Sequence, residues 1–212
     1  IGDKKQIEKC RKFQKDLCQK LSSENLKKED LFNHHQPLPK SIAVIIPGNS
    51  YYDYKGISLQ SLGIKYNAKY ESLVSLLSEA HLFTSIRYKF GAYGAGSWIS
   101  DNGLYLYSYR DPHVKNTYQI FDSSSKALKD KNISVKNLEG YITSIYSDLA
   151  REDSTSSLMS IKISSHLAGD YENNKTLRYM KEIKSTEEKD IDDFIMMLEK
   201  LEKEGVKVTV GA

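Results

Sequence analysis

The stretch Gly91-Ala92-Tyr93-Gly94-Ala95-Gly96 places three glycines within six residues, with Arg87 just ahead of it and the alternating run Leu104 to Tyr109 behind. Glycine gives up more conformational freedom on folding than any other residue. A cluster of this kind is expected where the backbone takes positive φ or runs close to another group, and it is a costly choice for a plain strand. Phe83 to Tyr109 is therefore the segment around which the remaining chain is expected to be built. Asp111 and Pro112 follow it and suit a helix start, because Asp accepts from unpaired N–H groups and Pro fits the first turn.

Elsewhere the apolar spacing reads more simply. Ile7, Cys10, Phe13, Leu17 and Leu21 recur every three or four residues and predict a helix over Asp3 to Leu21. Ser41 to Pro47 is a continuous apolar run between prolines, which describes a strand buried on both faces. Gly48 to Gly63 is rich in Tyr and Gly without a clear period, so it reads as a connection with room for a short strand. A helix is predicted over Asn67 to His81, apolar nearly all round and hence covered on most sides. Further helices are predicted from Ser134, over Thr155 to Leu167 and over Tyr171 to Ile183. Ser185-Thr186-Glu187-Glu188 has the form of a capping box. It opens a helix carrying Ile191, Phe194, Ile195, Leu198 and Leu201, which Gly205 closes, and Val206 to Val210 alternates as a last strand. Few strands, clustered near the middle and mixed with helices, predict an α+β fold: a mostly antiparallel sheet with helices packed on one face. No composition shift marks a boundary, so residues 1–212 are expected to form a single domain.

Thirty-one basic against 28 acidic residues leave a net charge of +3. That is a mild excess spread along the chain, whereas nucleic acid calls for a concentrated basic face. No apolar run is long enough to span a bilayer. Ile1 rather than Met at the start gives the expectation of a fragment from a longer protein. Cys10 and Cys18 lie eight residues apart on one helix, about 12 Å at the helical rise, beyond disulfide reach. They are expected to be small, partly buried packing residues. Of the five histidines, His34 and His35 sit in a proline loop over Asn33 to Lys40, and His81 is expected at a helix end, where imidazolium favours the dipole. No H-E-x-x-H or inverted form is present, nor a G-x-S-x-G nucleophile turn. The order G-x-x-G-x-G without a following G-K-[ST] is not a nucleotide loop. No metal ligands and no cofactor are expected in this chain.

Arg87 and Tyr93 remain. Six residues apart on an extended chain, they would project from one face. A guanidinium and a phenol are both donors suited to carbonyl oxygens. Gly91, Ala92 and Gly94 beside them would let another backbone approach. The competing reading is an arginine lying along a sheet edge and a half-buried tyrosine, which fifteen tyrosines in the chain make reasonable.

At these residues the chain resembles a known family. Arg87-x-x-x-Gly91-Ala92-Tyr93-Gly94, followed by Leu104 to Tyr109 and Ser108-Tyr109-Arg110-Asp111-Pro112, is similar to the C-terminal domain of the presequence-protease branch of the M16 (insulinase, pitrilysin-like) zinc metallopeptidases. The order of the predicted elements extends the likeness over nearly the whole chain. The resemblance implies four related α+β domains forming two halves around a closed chamber that degrades unfolded oligopeptides. It places Zn2+ and the catalytic glutamate in the N-terminal half of the same polypeptide. The last domain would be inactive and metal-free, with the N-terminal half and peptide substrates as its partners. It would supply Tyr93 to the scissile carbonyl as an oxyanion forms, and Arg87 to a neighbouring substrate carbonyl. Family members without catalysis imply the alternative, a structural or peptide-binding subunit. One departure stands out: the family has two glycines before Ala-Tyr, and here the first is Phe90, a residue that resists positive φ.

Overall fold

The computed structural model describes residues 3–21, 39–151, 153–167 and 174–211. In chain order these form α1 (Lys4–Lys20), β1 (Ser41–Ile45), β2 (Tyr51–Ser58), α2 (Leu59–Leu62) and α3 (Tyr70–Leu77), which runs on as a π-helix over Ser78–Tyr88. Then come β3 (Gly94–Ser100), β4 (Gly103–Asp111), α4 (Val114–Phe121), α5 (Ser124–Asp130), α6 (Val135–Ala150), α7 (Thr155–Leu167), α8 (Lys175–Lys184), α9 (Glu188–Glu204) and β5 (Val206–Gly211). They divide between two units, Ile1–Leu38 with Glu152–Asn173, and Pro39–Arg151 with Asn174–Ala212.

The first unit contains α1 and α7. Asp3 caps α1 by accepting from the Gln6 N–H at 2.8 Å. The predicted apolar stripe of α1 is present but lies open, with Phe13 and Leu21 at least 60% exposed. Cys10 and Cys18 are both free and exposed, not partly buried as expected, because the face that carries them is uncovered among the described residues. The Asn33 to Lys40 loop, with His34 and His35, lies outside the described residues up to Leu38, and so does the expected start of the helix at Tyr171 to Asn173.

The second unit is a five-stranded sheet in the order β1-β5-β2-β4-β3, antiparallel except for the parallel β1–β5 pair. This is the predicted α+β architecture. Leu104 and Leu106 of β4, Ile57 of β2 and Ala95 and Ile99 of β3 point into one core with α3, α6 and α9. From α9 the spacing delivers Phe194, Leu198 and Leu201, all fully buried. Each such side chain contributes about 1.5–3 kcal/mol by leaving water.

Two strands differ from expectation. Ser41–Ile45 is a strand, but at the sheet's edge, and Ile45 is 85% exposed. Only β5 pairs with it, and both faces of its apolar run stand uncovered among the described residues. The connection over Gly48 to Gly63 instead holds β2, an eight-residue strand at the centre of the sheet. Its core-facing positions are Asp53, Lys55 and Ile57, and the two charges conceal the apolar alternation. Lys55 is 1% exposed; its Nζ donates to Asp122 and to the Glu202 carbonyl at 2.6 Å. Lys207 completes the cluster by donating to the second Asp122 oxygen at 3.0 Å. The lysine therefore fastens β2 to the α4–α5 junction and to the end of α9.

Helix boundaries move for identifiable reasons. The helix expected to stop at His81 continues through Tyr88, so His81 lies mid-helix, its Nε2 3.2 Å from the Ile120 carbonyl oxygen. Burial pushes the pKa of this imidazole down. Asp111 ends β4 rather than starting a helix. It braces the approach to α4 without capping it, accepting from the His113 N–H at 2.7 Å and from Thr117 Oγ1; His113 is the N-cap and α4 starts at Val114. The capping box of α9 is Glu187 with Asp190, not Ser185 with Glu188, since Ser185 terminates α8.

Candidate functional site

Arg87 and Tyr93 come together, but not through an extended chain. Arg87 sits in the last turns of the helix that began at Tyr70, four residues after Phe83, and its guanidinium carbon lies 4.8 Å from the Phe83 ring centre. After Phe90 the helix stops at Gly91, which has φ +77° and donates its N–H to the Arg87 carbonyl at 2.8 Å. This is the left-handed turn with which glycine ends helices. It also resolves the Phe90 departure. Gly91 carries the positive φ, and Phe90 stays in ordinary backbone with its ring 6.1 Å from His113. The chain then doubles back, buries Ala92, and presents Tyr93 with 55% of its surface exposed.

The Tyr93 ring is flanked on several sides. Arg87 Cζ lies 5.6 Å and Arg110 Cζ 5.4 Å from its centre, within cation–π range, and the Tyr109 ring stands 5.3 Å away. The Tyr93 N–H faces the Arg110 carbonyl at 3.4 Å. The result is a surface cluster of two guanidiniums, which only donate, around the Tyr93 phenol, which can donate as well as accept, and it is suited to oxygen acceptors. Of the three small residues expected to admit a substrate backbone, only Gly91 is exposed. Ala92 packs inward, and Gly94 lies under the Tyr109 ring, where a Cβ would come 2.3 Å from Cε1.

Gly94 belongs to a wider pattern that spacing alone does not reveal. Opposite Gly94, Gly96 and Gly56 across the strands stand Tyr109, Tyr107 and Tyr105, and their rings fill the spaces the missing side chains leave. With Tyr52, Tyr54 and Trp98 they make the sheet face opposite the helical core aromatic. Trp98 stacks on Tyr105 with ring centres 4.7 Å apart and meets Tyr54 edge-on at 6.4 Å. Tyr107, half-buried among these rings, has its phenol pKa pushed up by desolvation. The signal was the alternation of Tyr52, Tyr54 and Gly56, hidden by the charges between them. Arg110 was legible within the Ser-Tyr-Arg-Asp-Pro run, but nothing in one dimension joins it to Tyr93.

Among the described residues no group of three or more His, Cys, Asp or Glu could hold a metal ion, and no helix is long and apolar enough to cross a membrane.

Residues 41–212 match the family model described as the PreP C-terminal domain. Protein HypA of Clostridium perfringens is 30% identical over 142 residues, 66% of this chain and 14% of that protein. Presequence protease 1, chloroplastic/mitochondrial, of Arabidopsis thaliana is 26% identical over 172 residues, 80% of this chain and 16% of that protein. The chain thus spans about a seventh of the length of these relatives. Among solved structures, a peptidase M16 inactive domain from Pseudomonas fluorescens superposes with a TM-score of 0.56 at 13% identity, covering 81% of this chain and 43% of that one. A protease from Helicobacter pylori does so with a TM-score of 0.58 at 14% identity, covering 100% and 53%. At such identities the likeness is one of fold. The family match over residues 41–212, on a sheet-and-helix unit of this architecture, makes the chain a member of the C-terminal domain family of M16 presequence-protease-like proteins.

Proposed function

We propose that this chain is the inactive, metal-free C-terminal domain of a zinc metallopeptidase that degrades unfolded oligopeptides in a closed chamber. The zinc and the general base belong to the N-terminal half of the complete protein. In this reading Tyr93 donates a hydrogen bond from its phenolic O–H to the scissile carbonyl oxygen as charge develops there, and Arg87 donates to a neighbouring peptide carbonyl. The observation that carries it is the exposed Tyr93 phenol held beside the Arg87 guanidinium by the Gly91 turn. Gly91 leaves room for the peptide backbone, while Ala92 and Gly94 shape the turn from beneath.

A donor aimed at an oxyanion acts mainly in the transition state. Tyr93→Phe in the complete protein is therefore expected to lower kcat on a peptide substrate by about 10²-fold with little change in KM. Unchanged kcat would remove Tyr93 from the reaction. The aromatic sheet face favours a second reading, a peptide-binding or structural subunit without catalysis. It predicts peptide binding by a complete protein that has no hydrolytic activity at all.

A further inference from the structure

Arg110 occupies an unusual backbone position. Tyr51 pairs with Asp111 and Tyr52 with Tyr109, so Arg110 is the extra residue of a β-bulge on β4. Its φ is +48°, in the left-handed region where such a bulge ordinarily carries glycine. A side chain there is strained, and strain of this kind persists where the surroundings fix it and a function uses it. The surroundings do fix it. The residue after it, Asp111, is held by the His113 N–H and by Thr117, and the Arg110 carbonyl faces the Tyr93 N–H. Bulges re-aim side chains, and this one brings the guanidinium to the Tyr93 ring.

The chemistry of the cluster is one-sided. Among the described residues neither Arg87 nor Arg110 has a carboxylate partner, and both are exposed. Arg87 and Tyr93 suffice for carbonyl oxygens, which are neutral acceptors. A second guanidinium, installed at a strained position and left unpaired, matches a full negative charge, and the planar fork of arginine fits a carboxylate in bidentate fashion.

We propose that Arg110 is a specificity-determining residue of the Arg87–Tyr93 site, binding a carboxylate of the peptide that lies against Tyr93. The proposal rests on the substrate role given to Arg87 and Tyr93 above. The carboxylate comes either from an acidic side chain or from the peptide's C-terminus. Glycine is at home at φ +48°, so Arg110→Gly removes the guanidinium and keeps the bulge.

The test uses the complete protein, treated with a chelator so that peptides bind without turnover. Fluorescence anisotropy gives Kd for four labelled peptides, with Glu or Gln at the variable position and a free or amidated C-terminus. Wild type is expected to bind a carboxylate peptide roughly tenfold more tightly than its amide isostere, the size of one charge-assisted contact. That ratio should fall to about one in Arg110→Gly and be partly kept in Arg110→Lys, which retains the charge but not the fork. The pair of peptides that shows the preference identifies the carboxylate, side chain or terminus. Absence of a preference in wild type, or its survival in Arg110→Gly, overturns the proposal. If Tyr93→Phe lowers kcat while the ratio survives Arg110→Gly, only Arg110 loses its role. Unchanged kcat in Tyr93→Phe defeats the underlying site reading instead.

Discussion

Asp53 is a fully buried carboxylate beneath the centre of the sheet. Thr209 Oγ1 donates to one oxygen at 2.6 Å and Ser108 Oγ reaches the other at 3.5 Å, while the Tyr118 hydroxyl pairs with Thr209 at 3.0 Å. Burial is the main reason its pKa is raised; the hydrogen bonds from Thr209 and Ser108 oppose the shift, and the charge of Asp111 adds to it. A raised native pKa means that the folded state binds this proton more tightly than the unfolded chain. The contribution to stability is then complete below the ordinary carboxylate pKa of about 3.9 and is lost as pH rises through the raised value. Asp53→Asn keeps the shape and removes the titration. Urea midpoints of wild type and variant, compared from pH 4 to 8, should show wild type losing ground to the variant as pH rises. Glu71, also raised by burial, is common to both and cancels in the difference. A constant or opposite difference would mean that Asp53 stays ionised in the fold. This residue also explains a misreading at its own scale. A strand with Asp and Lys at inward positions has no apolar period, and only the partners Thr209, Ser108 and Asp122 make those positions inward.

Among elements, the junction of α9 and β5 turns on Gly205. Its φ of −60° is open to any residue, so the demand is for space. A Cβ there would come 2.4 Å from the Leu201 carbonyl oxygen and 3.2 Å from that of Gly56, both backbone atoms with little freedom to retreat. Gly140 in α6 has nothing within 4 Å of an added Cβ and lies exposed inside a helix. Gly205→Ala should therefore cost about 1–3 kcal/mol by overpacking, whereas Gly140→Ala should stabilise by about 0.5–1 kcal/mol through helix propensity. Denaturant unfolding of the two variants checks the pair, and shifts in the same direction would contradict the geometry. Helices with a strong period, α1, α6 and α9, were legible to within a residue or two because one face of each carries the apolar side chains. β1 was legible as a strand but not as an edge, since an apolar run does not say how many neighbours it will have. The continuation past His81 was hidden because Leu82 and Ile86 carry the buried row up to Arg87, from which the chain was expected to run extended.

For the molecule as a whole, the α+β class followed from the mixture of periods, but strand order did not. The order depends on long-range pairings such as Tyr52 with Tyr109 and with Val210, which no local spacing encodes. The same pairings create the glycine–tyrosine face. Trp98 is the chain's single tryptophan, stacked on Tyr105, beside Tyr107 and Tyr54, and 38% exposed. The domain therefore carries its own optical probe on that face, with no label to attach and no second indole to confuse the signal. Excited at the red edge, where tyrosine does not absorb, its emission should move to shorter wavelength as a peptide covers the rings and water leaves the indole. A titration that leaves the spectrum unmoved would put the peptide elsewhere, so the aromatic sheet records its own occupancy in light.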